Sequence, residues 1–331
     1  MGVLKQWLPY VLSGISAGGQ YALIAVGYTM VYGILRLINF AHGDIFMVAG
    51  LIMVYLSATM PLYFALPVVV ILTVALGFAV ERCAYKPLRQ APRMSVMISA
   101  IGVSYLLQNL AYYVTGGVPK QYPELPWISD TITILGASTK RVTVITPILT
   151  LALVVALVVL IKRTKVGMAM RAASKDFETA QLMGVKINRV ISMTFIIGSF
   201  LAAVGALLYF AKNTGINHMA GSTPGIKAFI AAVVGGIGSV SGSVIAAFIY
   251  YASSEWWLRF LDLETYTASG ARVPLLGYGF RMVVFSVLIM IVVLFFRKGI
   301  MGTREVSVYD DIRKIGRFFT RKSAAKGGDA Q

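Results

Sequence analysis

Long runs of apolar residues recur along this 331-residue chain, and shorter polar segments separate them. Runs such as Val68 to Val80 are apolar on every side instead of alternating with polar residues, which favours membrane helices over the strands of a membrane barrel. A helix needs roughly 20 residues to cross the hydrocarbon core of a bilayer. The pattern therefore predicts an all-α, polytopic integral membrane protein with about eight membrane segments. These segments lie near 8–34, 40–58, 62–81, 94–115, 142–161, 190–211, 226–251 and 279–296.

Glycines interrupt the apolar run at 226–251. Gly235, Gly236, Gly238 and Gly242 fall within it, as expected of a broken or re-entrant helix whose freed backbone groups face protein or a water-filled cavity. Another interpretation is that these glycines, including the pair Gly238 and Gly242, merely allow close packing between helices. Both interpretations are kept as hypotheses.

A second irregular segment is predicted at 35–46, between two apolar runs that leave no room for a substantial loop. It contains Arg36, Asn39, His42 and Asp44, and ionisable groups at membrane depth are costly, so they suggest a function. One interpretation is a role in a translocation path or in gating. The others are a tight interfacial turn in which Asp44 caps the next helix, and a metal or proton relay.

The distribution of positive charge predicts which segments face the cytoplasm. The net charge is +17, and 20 of the 30 Lys and Arg residues fall in 82–93, 162–189 and 297–331. Such clustering follows the positive-inside rule, so these three segments are expected inside and 116–140 and 212–225 outside. Membrane lipid is the expected partner of these charges, and nucleic acid is not expected as a partner. Three simple spans after the second basic segment would leave the tail outside, so the glycine-rich run is expected to be irregular.

Residues that carry catalytic or metal chemistry are scarce. The chain has two histidines, His42 and His218, and one cysteine, Cys83. It contains no motif of a zinc protease, a serine hydrolase, a nucleotide-binding loop or a dinucleotide site. Glu81 ends a predicted span beside Arg82 and is interpreted as half of an interfacial ion pair. The sequence predicts no catalytic residues, no metal site and no cofactor.

The basic segment at 162–189 is expected to contain a helix too short to cross a membrane. Ser174 is predicted as its N-cap, and Asp176 and Glu178 lie in the first turn, where negative charge interacts favourably with the helix dipole. Gly184 is predicted to end the helix after about two and a half turns.

This short helix, predicted at 175–183, is expected to form a small rigid knob. Phe177, Ala180 and Gln181 lie one to four residues apart, so they can share one face. A knob of this kind fits a cleft on a partner protein.

Several stretches of the sequence resemble one family of transport proteins. Over about 8–305, the chain resembles the permease subunits of ABC importers for branched-chain amino acids, the LivH-type family, which has urea and amide relatives. The matching stretches are YALIAVGYTMVYGILRLINFAHGDIFMVAG at 21–50, RTKVGMAMRAASKDFETAQLMGVKINRV at 163–190, KAFIAAVVGGIGSVSGSVIAAFIYY at 227–251 and FFRKGIMG at 295–302.

The resemblance implies roles for two sets of residues. The loop around the short helix resembles the coupling loop that sits in a groove of the nucleotide-binding ATPase. The expected ATPase contact comprises Arg171, Ala172, Ala173, Ser174, Asp176, Phe177, Glu178, Ala180 and Gly184. Substrate is expected to cross near the two irregular segments, where half-helix ends and free backbone groups can bind a zwitterion. The expected path comprises Asn39, His42, Gly43, Asp44, Gly235, Gly236, Gly238 and Ser239.

The resemblance also implies partners and a location. A second homologous permease subunit, two ATP-binding cassette subunits and a periplasmic or extracellular solute-binding protein would complete the importer in the bacterial cytoplasmic (inner) membrane. Leucine, isoleucine and valine are the expected substrates. Residues 1–305 would form the transmembrane permease domain, and 306–331 a basic cytoplasmic tail that is expected to be disordered.

Three other functions stay open at this point. The chain could be a permease for urea or short-chain amides. It could be an ion-coupled secondary amino acid carrier that uses Asp44, His42 and Glu81, or a membrane-embedded enzyme. Transport by the purified chain alone would favour the carrier, whereas dependence on ATPase subunits would favour the importer.

Overall fold

The computed structural model describes the backbone of 2–89, 91–134, 137–236 and 238–260, two strands at 264–266 and 272–274, and the isolated positions 283, 286, 287 and 290. Helices dominate this part of the chain. They are α1 (Gly2–Leu35), α2 (His42–Ser57), α3 (Leu62–Val80), a π-helical turn (Glu81–Tyr85), α4 (Arg93–Thr115), α5 (Pro126–Ser129), α6 (Arg141–Arg163), α7 (Lys165–Lys175), α8 (Phe177–Leu182), α9 (Ile187–Lys212), α10 (Ser222–Gly235) and α11 (Val240–Phe260).

Short antiparallel strand pairs lie in the segments between helices. The sequence analysis did not predict them, because strands of two to four residues carry no clear periodic signal. The membrane segments that the structure describes are nevertheless helical. The pairs join β1 (Lys120–Gln121) to β4 (Gly215–Ile216), β2 (Thr131–Ile134) to β3 (Ala137–Lys140), and β5 (Glu264–Tyr266) to β6 (Arg272–Pro274).

Four helices of the described residues are long and apolar enough to cross a membrane, or five crossings if α10 and α11 count as one bent span. They are Leu62–Tyr85, Met94–Thr115, Arg141–Arg163 and Ile187–Lys212. Helix α1 has 34 residues but a more mixed composition, and α2 has 16 residues, fewer than the roughly 20 that a crossing needs. The predicted count of about eight segments is therefore not confirmed, and most of the run at 279–296 lies outside the described residues.

Helix α1 is the central helix of the bundle. It packs against α6, α9, α10 and α11, and its residues 22–26 are fully buried. Helix α11 runs antiparallel to α1, because Tyr21 stacks on Tyr251 and, further along α1, Thr29 hydrogen-bonds to Ser243. The elements that pack on α1 therefore define the interior of the fold.

The outward faces of α3, α4 and α6 are apolar. Ile71, Tyr105 and Ile148 each expose more than half of their surface. Large exposed apolar surfaces are costly in water, whereas in a bilayer they contact lipid. These three helices therefore form the lipid-facing side of the described bundle.

A sharp bend separates α10 from α11. The helix axes differ by 117°, and Gly236 and Gly238 in the bend have φ values of 106° and 98°, which residues with a side chain rarely adopt. A Cβ on Gly235 would lie 2.3 Å from the Gly242 carbonyl oxygen. The break predicted in the glycine-rich run is confirmed, and close packing accompanies it, because Gly242 contacts Gly235 and Gly238 lies against Gly33 of α1.

Candidate functional site

The segment 36–41 turns the chain from the end of α1 back into the bundle. Arg36 ends α1 with a φ of 56°, and its guanidinium donates to the Ser174 carbonyl oxygen at 3.1 Å. Helix α2 then begins at His42, whose ring lies against Gly27 of α1 and Gly198 of α9. Gly198 lies in the middle of α9 and Gly27 about two turns before the end of α1, so α2 begins inside the bundle. Helix α2 has 16 residues, and the full span predicted at 40–58 is therefore not confirmed.

Asp44, in the first turn of α2, belongs to a buried group of polar side chains inside the bundle. The residue is 1% exposed. Ser104 Oγ donates to one carboxylate oxygen at 2.5 Å, and Gln108 Nε2 donates to the other at 3.0 Å. Gln108 Nε2 also lies 3.4 Å from Ser222 Oγ on α10. No Lys or Arg of the described residues lies within ion-pair distance of Asp44.

These side chains border a cavity of about 140 Å³, which we call the polar pocket. Its polar side is formed by Asp44, Ser104, Gln108 and Ser222, and its apolar side includes Phe40, Ile226 and Phe229. The pocket therefore combines one carboxylate and a few neutral polar groups with an apolar wall, which is the usual composition of a small-molecule site.

Glycines bring the first turns of α2 and α10 into contact beside the polar pocket. A Cβ on Gly221 would lie 2.1 Å from the Gly43 carbonyl oxygen, and a Cβ on Gly43 would lie 2.7 Å from the Gly221 carbonyl oxygen. No side-chain hydrogen bond caps the start of either helix. Two uncapped helix N-termini therefore meet at the pocket.

The structure divides the predicted path residues between two places. His42 to Asp44 lie at the polar pocket or beside it, whereas Gly235 to Ser239 lie at the far end of α10. Helix α10 has 14 residues, so about 20 Å separates the two places at 1.5 Å per residue. The half-helix end that meets Asp44 is the start of α10, at Gly221, and not the glycine-rich break.

Sequence reasoning missed the partners of Asp44. Ser104 and Gln108 lie four residues apart on α4, so they share one face of an apolar helix. Polar residues at this spacing in a membrane segment are the signal that would have found them. Tyr28 of α1 and Ser222 of α10 also line the pocket but carry no such signal, because only the fold brings these two helices to it.

Asn39 connects the segment 36–41 to the π-helical turn. Tyr85 Oη donates to Asn39 Oδ1 at 2.7 Å, and both residues are buried. Tyr85 and Leu37 also line a larger cavity of about 900 Å³, which we call the inner cavity, together with residues of α8 and of the start of α9. Because Phe40 lines the polar pocket, the segment 36–41 borders both cavities.

Glu81 forms an ion pair, but its partner is Arg89 and not the neighbouring Arg82. Arg89 also donates to Asn188 of α9, and Ser192 Oγ donates to Glu81 at 2.8 Å. The pair predicted from adjacency in sequence is therefore wrong in its partner. The observed pair ties the π-helical turn to the start of α9, and Glu81 is fully buried within it.

The basic segment folds into two short helices, α7 and α8, which we call the docking helices. Thr164 caps α7 by accepting from the Gly167 N–H at 3.1 Å. Asp176 caps α8 by accepting from the N–H groups of Glu178 and Thr179 at 3.0 and 3.3 Å. The hydrogen bonds that the Thr179 hydroxyl and N–H donate hold the pKa of Asp176 below its usual range.

The predicted N-cap, Ser174, is wrong. Ser174 lies in the last turn of α7, where its Oγ donates to the Arg171 carbonyl oxygen at 2.9 Å. The single helix predicted at 175–183 is also corrected, because the extended backbone of Asp176, with φ −150°, separates two helices. Serine and aspartate are both good N-caps, and Asp176, two residues after Ser174, is the one that caps α8.

Gly184 ends α8, as predicted. It has a φ of 82°, the Val185 N–H donates to the Ala180 carbonyl at 3.0 Å, and the Gly184 N–H donates to the Gln181 carbonyl at 3.0 Å. These two bonds are the Schellman pattern of a helix C-terminus, which favours glycine at this position.

The docking helices bury one face within the chain and expose the other. Ala173 and Ala180, expected at a partner contact, are 1% and 4% exposed and pack internally. Leu182 and Met183 are instead 88% and 80% exposed. Adjacent apolar side chains that project this far make a candidate protein contact. Of the other expected contact residues, Ala172, Asp176, Glu178 and Gly184 are exposed, and Arg171, Ser174 and Phe177 are half-buried.

Residues 10–296 match the family described as "Branched-chain amino acid transport system / permease component". The chain belongs to this family. It is accordingly a membrane-embedded permease component of a transport system and not an enzyme.

Relatives cover nearly the whole chain. The "High-affinity branched-chain amino acid transport system permease protein LivH" of Salmonella typhimurium is 34% identical over 313 residues, which cover 91% of this chain and 97% of the relative. The corresponding protein BraD of Pseudomonas aeruginosa is 34% identical over 320 residues, covering 92% and 99%. The "Ribose import permease protein RbsC" of Haemophilus influenzae is 26% identical over 258 residues, covering 74% and 76%.

Among solved structures, a metal-chelate type ABC transporter in an inward-facing conformation is 18% identical. The match covers 89% of both chains with a TM-score of 0.48.

Proposed function

We propose that this chain is one of two permease subunits of an ABC importer that moves branched-chain amino acids across the bacterial inner membrane. The family and the names of the LivH and BraD relatives support branched-chain amino acids as the substrate class. The sequence has no nucleotide-binding motif, so ATP is hydrolysed by two separate ATP-binding cassette subunits. A solute-binding protein delivers the substrate to the external face.

The observation that carries this proposal is the exposed apolar tip of the docking helices. Leu182 and Met183 project from the end of α8, in a segment rich in Lys and Arg that the positive-inside rule assigns to the cytoplasm. An apolar pair in the cytosol is costly unless a partner covers it. A groove on an ATP-binding cassette subunit is the occupant that we propose.

If the docking helices are cytoplasmic, as the charge pattern predicts, the course of the chain supports a cytoplasmic position for the tail as well. Arg36, at the end of α1, bonds to Ser174 of α7, so α1 runs from the outside to the inside. Helix α11 is antiparallel to α1 and therefore returns to the outside. One more crossing, in the apolar run that the sequence predicts at 279–296, would then bring the basic C-terminal segment to the inside, in agreement with the charge pattern.

The proposed path uses the polar pocket and the inner cavity in sequence. The polar pocket lies inside the bundle, and the inner cavity lies beside α8. Because the segment 36–41 borders both, its movement would connect the pocket to the cytoplasm. Motion of the docking helices reaches this segment through the hydrogen bond from Arg36 to Ser174. A second permease subunit would supply the other half of the path.

The alternative functions lack comparable support. The family match favours the permease component of a transport system over an ion-coupled carrier, and Glu81, one of the three residues that such a carrier would use, is engaged with Arg89 and Ser192. A urea or amide permease would not need the buried carboxylate of Asp44, because neutral substrates can be bound by neutral hydrogen-bonding groups.

Co-purification of the ATP-binding cassette subunits tests the proposal. Leu182→Arg together with Met183→Arg should abolish recovery of these subunits with the tagged chain, while the chain remains in the membrane and elutes as a folded species. Met219→Arg is the matched control, because Met219 is also exposed, at 55%, but lies in the predicted external segment. It should retain the subunits. Normal recovery with the double variant would refute the proposed docking surface.

Ala180→Arg is unsuitable for this test. Ala180 packs inside the chain, so a charge there would disturb folding as well as docking. Substitution of Leu182 and Met183 tests docking without disturbing folding, since both side chains are exposed and neither contributes to the core.

A further inference from the structure

Asp44 is a buried carboxylate whose neighbours are neutral. Ser104 and Gln108 donate to its two oxygens, and no cation of the described residues pairs with it. Helix α10 has one lysine, Lys227, which does not line the polar pocket. A carboxylate has about four acceptor positions, so two donors leave acceptor capacity toward the cavity. Buried charges in proteins are normally paired, and this carboxylate lines the polar pocket.

Aromatic rings surround the same volume. Tyr28, Phe40 and Phe229 line the polar pocket, and the rings of Tyr28 and Phe229 meet edge to face with centroids 5.9 Å apart. The faces of aromatic rings attract cations, most strongly where water is excluded. A carboxylate and three aromatic rings that line one cavity are two independent features that favour a cationic ligand.

The cavity is shaped for an organic cation and not for a metal ion. Ca²⁺ takes six to eight oxygen ligands and Mg²⁺ takes an octahedral set, whereas the described residues contain no group of three or more metal-ligating side chains. The volume of about 140 Å³ is close to the roughly 150 Å³ that accommodates benzene. A primary ammonium group with a short branched aliphatic chain fits these limits.

We propose that Asp44 binds the α-ammonium group of the amino acid during transport, and that Ile226 and Phe229 contact its aliphatic side chain. The proposal rests on the proposed function for the identity of the amino acid, but the ammonium site itself depends on the geometry of the polar pocket. Ser104 and Gln108 act as positioning residues, because they hold the carboxylate toward the cavity.

Thiol labelling in the pocket tests the charge preference without reference to the natural substrate. Ile226 lines the pocket and is 62% exposed, so Ile226→Cys in a Cys83→Ser background places one thiol beside Asp44. The assembled importer complex, without its binding protein, is treated with a methanethiosulfonate that carries an ethylammonium group or with one that carries a sulfonate. We expect the ammonium reagent to react faster, and Asp44→Asn to lower the ratio of the two rates by about tenfold, as the loss of a nearby charge predicts.

Met168→Cys in the same background is the control, because Met168 is exposed on α7. Its ratio of rates should not respond to Asp44→Asn. An unchanged ratio at Ile226→Cys in the Asp44→Asn variant would overturn the ammonium site.

Protection by substrate separates this proposal from the proposed function. Millimolar leucine should slow labelling of Ile226→Cys, and 2-hydroxy-4-methylpentanoate, which lacks the ammonium group, should not. Equal protection by both compounds would overturn the ammonium site while leaving the import of leucine intact. If isobutylamine protects and leucine does not, the ammonium site stands and the assignment of the branched-chain amino acid as substrate fails.

Discussion

Asp44 and Asp176 both stand at the start of a helix, yet their surroundings give them different roles. Asp176 is exposed and bonds to backbone N–H groups of its own helix. Asp44 is buried and bonds to side chains of another helix. The first aspartate stabilises local structure, whereas the second keeps acceptor capacity for a ligand.

The cap at Asp176 gives a prediction for pH. Its pKa is lower in the folded chain than in an unfolded one, so the carboxylate's contribution to α8 is complete above the ordinary value of about 3.9. It is lost as the pH falls through the lower, folded value. Hydrogen exchange of the Glu178 and Thr179 amides should therefore show constant protection down to about pH 5, after correction for the intrinsic rate, and a loss in more acidic solution.

Two variants control this experiment. Asp176→Ala should reduce the protection of both amides at neutral pH, because it removes the acceptor. Asp176→Asn should largely restore it and remove the acid transition, because asparagine is also a good N-cap. An acid transition centred above pH 5, or full protection in Asp176→Ala, would contradict the role of this cap.

The sequence identifies these two residues as candidates but does not separate their roles. The pattern around Asp176 predicts a helix start, and the error of two residues at Ser174 arises because serine and aspartate are both good caps. The partners of Asp44 come from α4, 60 and 64 residues further along the chain, so the pattern around Asp44 itself could not specify them.

At the scale of elements, the segment 36–41 is the part of the chain whose position decides access. The Tyr85–Asn39 hydrogen bond holds it against the π-helical turn. The Arg36–Ser174 hydrogen bond connects it to α7. In the proposed mechanism, the bond from Tyr85 restrains the segment, and the bond to Ser174 transmits the motion of α7 to it.

Tyr85→Phe tests this arrangement, because it removes the hydroxyl and keeps the ring. The basal ATPase rate of the complex, measured without binding protein, should rise roughly fivefold, since a buried hydrogen bond contributes about 1 kcal/mol. Tyr113→Phe is the control, because Tyr113 is 84% exposed on α4, and its basal rate should not change. A basal rate for Tyr85→Phe equal to that of the unmodified complex would exclude a restraining role for this bond.

Long elements were easier to predict than interrupted ones. The runs at 62–81, 94–115, 142–161 and 190–211 correspond to α3, α4, α6 and α9 within a few residues, because a membrane helix needs a long apolar run. The short helix α2 looks like a span in sequence, since its residues are apolar all along its length. Its position is set by the turn at Arg36 and by glycine contacts with α1 and α9.

At the scale of the whole molecule, the proposed function connects three features of the structure. The polar pocket lies inside the bundle, the inner cavity lies beside α8, and the docking helices carry an exposed apolar tip. The family and charge pattern were readable from the sequence. The separation of the polar pocket from the glycine-rich break could not be predicted from the sequence, because it depends on the direction in which α10 runs.

The most direct test of the account is leucine uptake by proteoliposomes that contain the complete complex. Uptake should require ATP inside the vesicles, the ATP-binding cassette subunits and external binding protein, and it should be unaffected by collapse of the proton and sodium gradients. Leucine uptake by this chain alone, driven by an ion gradient and independent of ATP, would contradict the account.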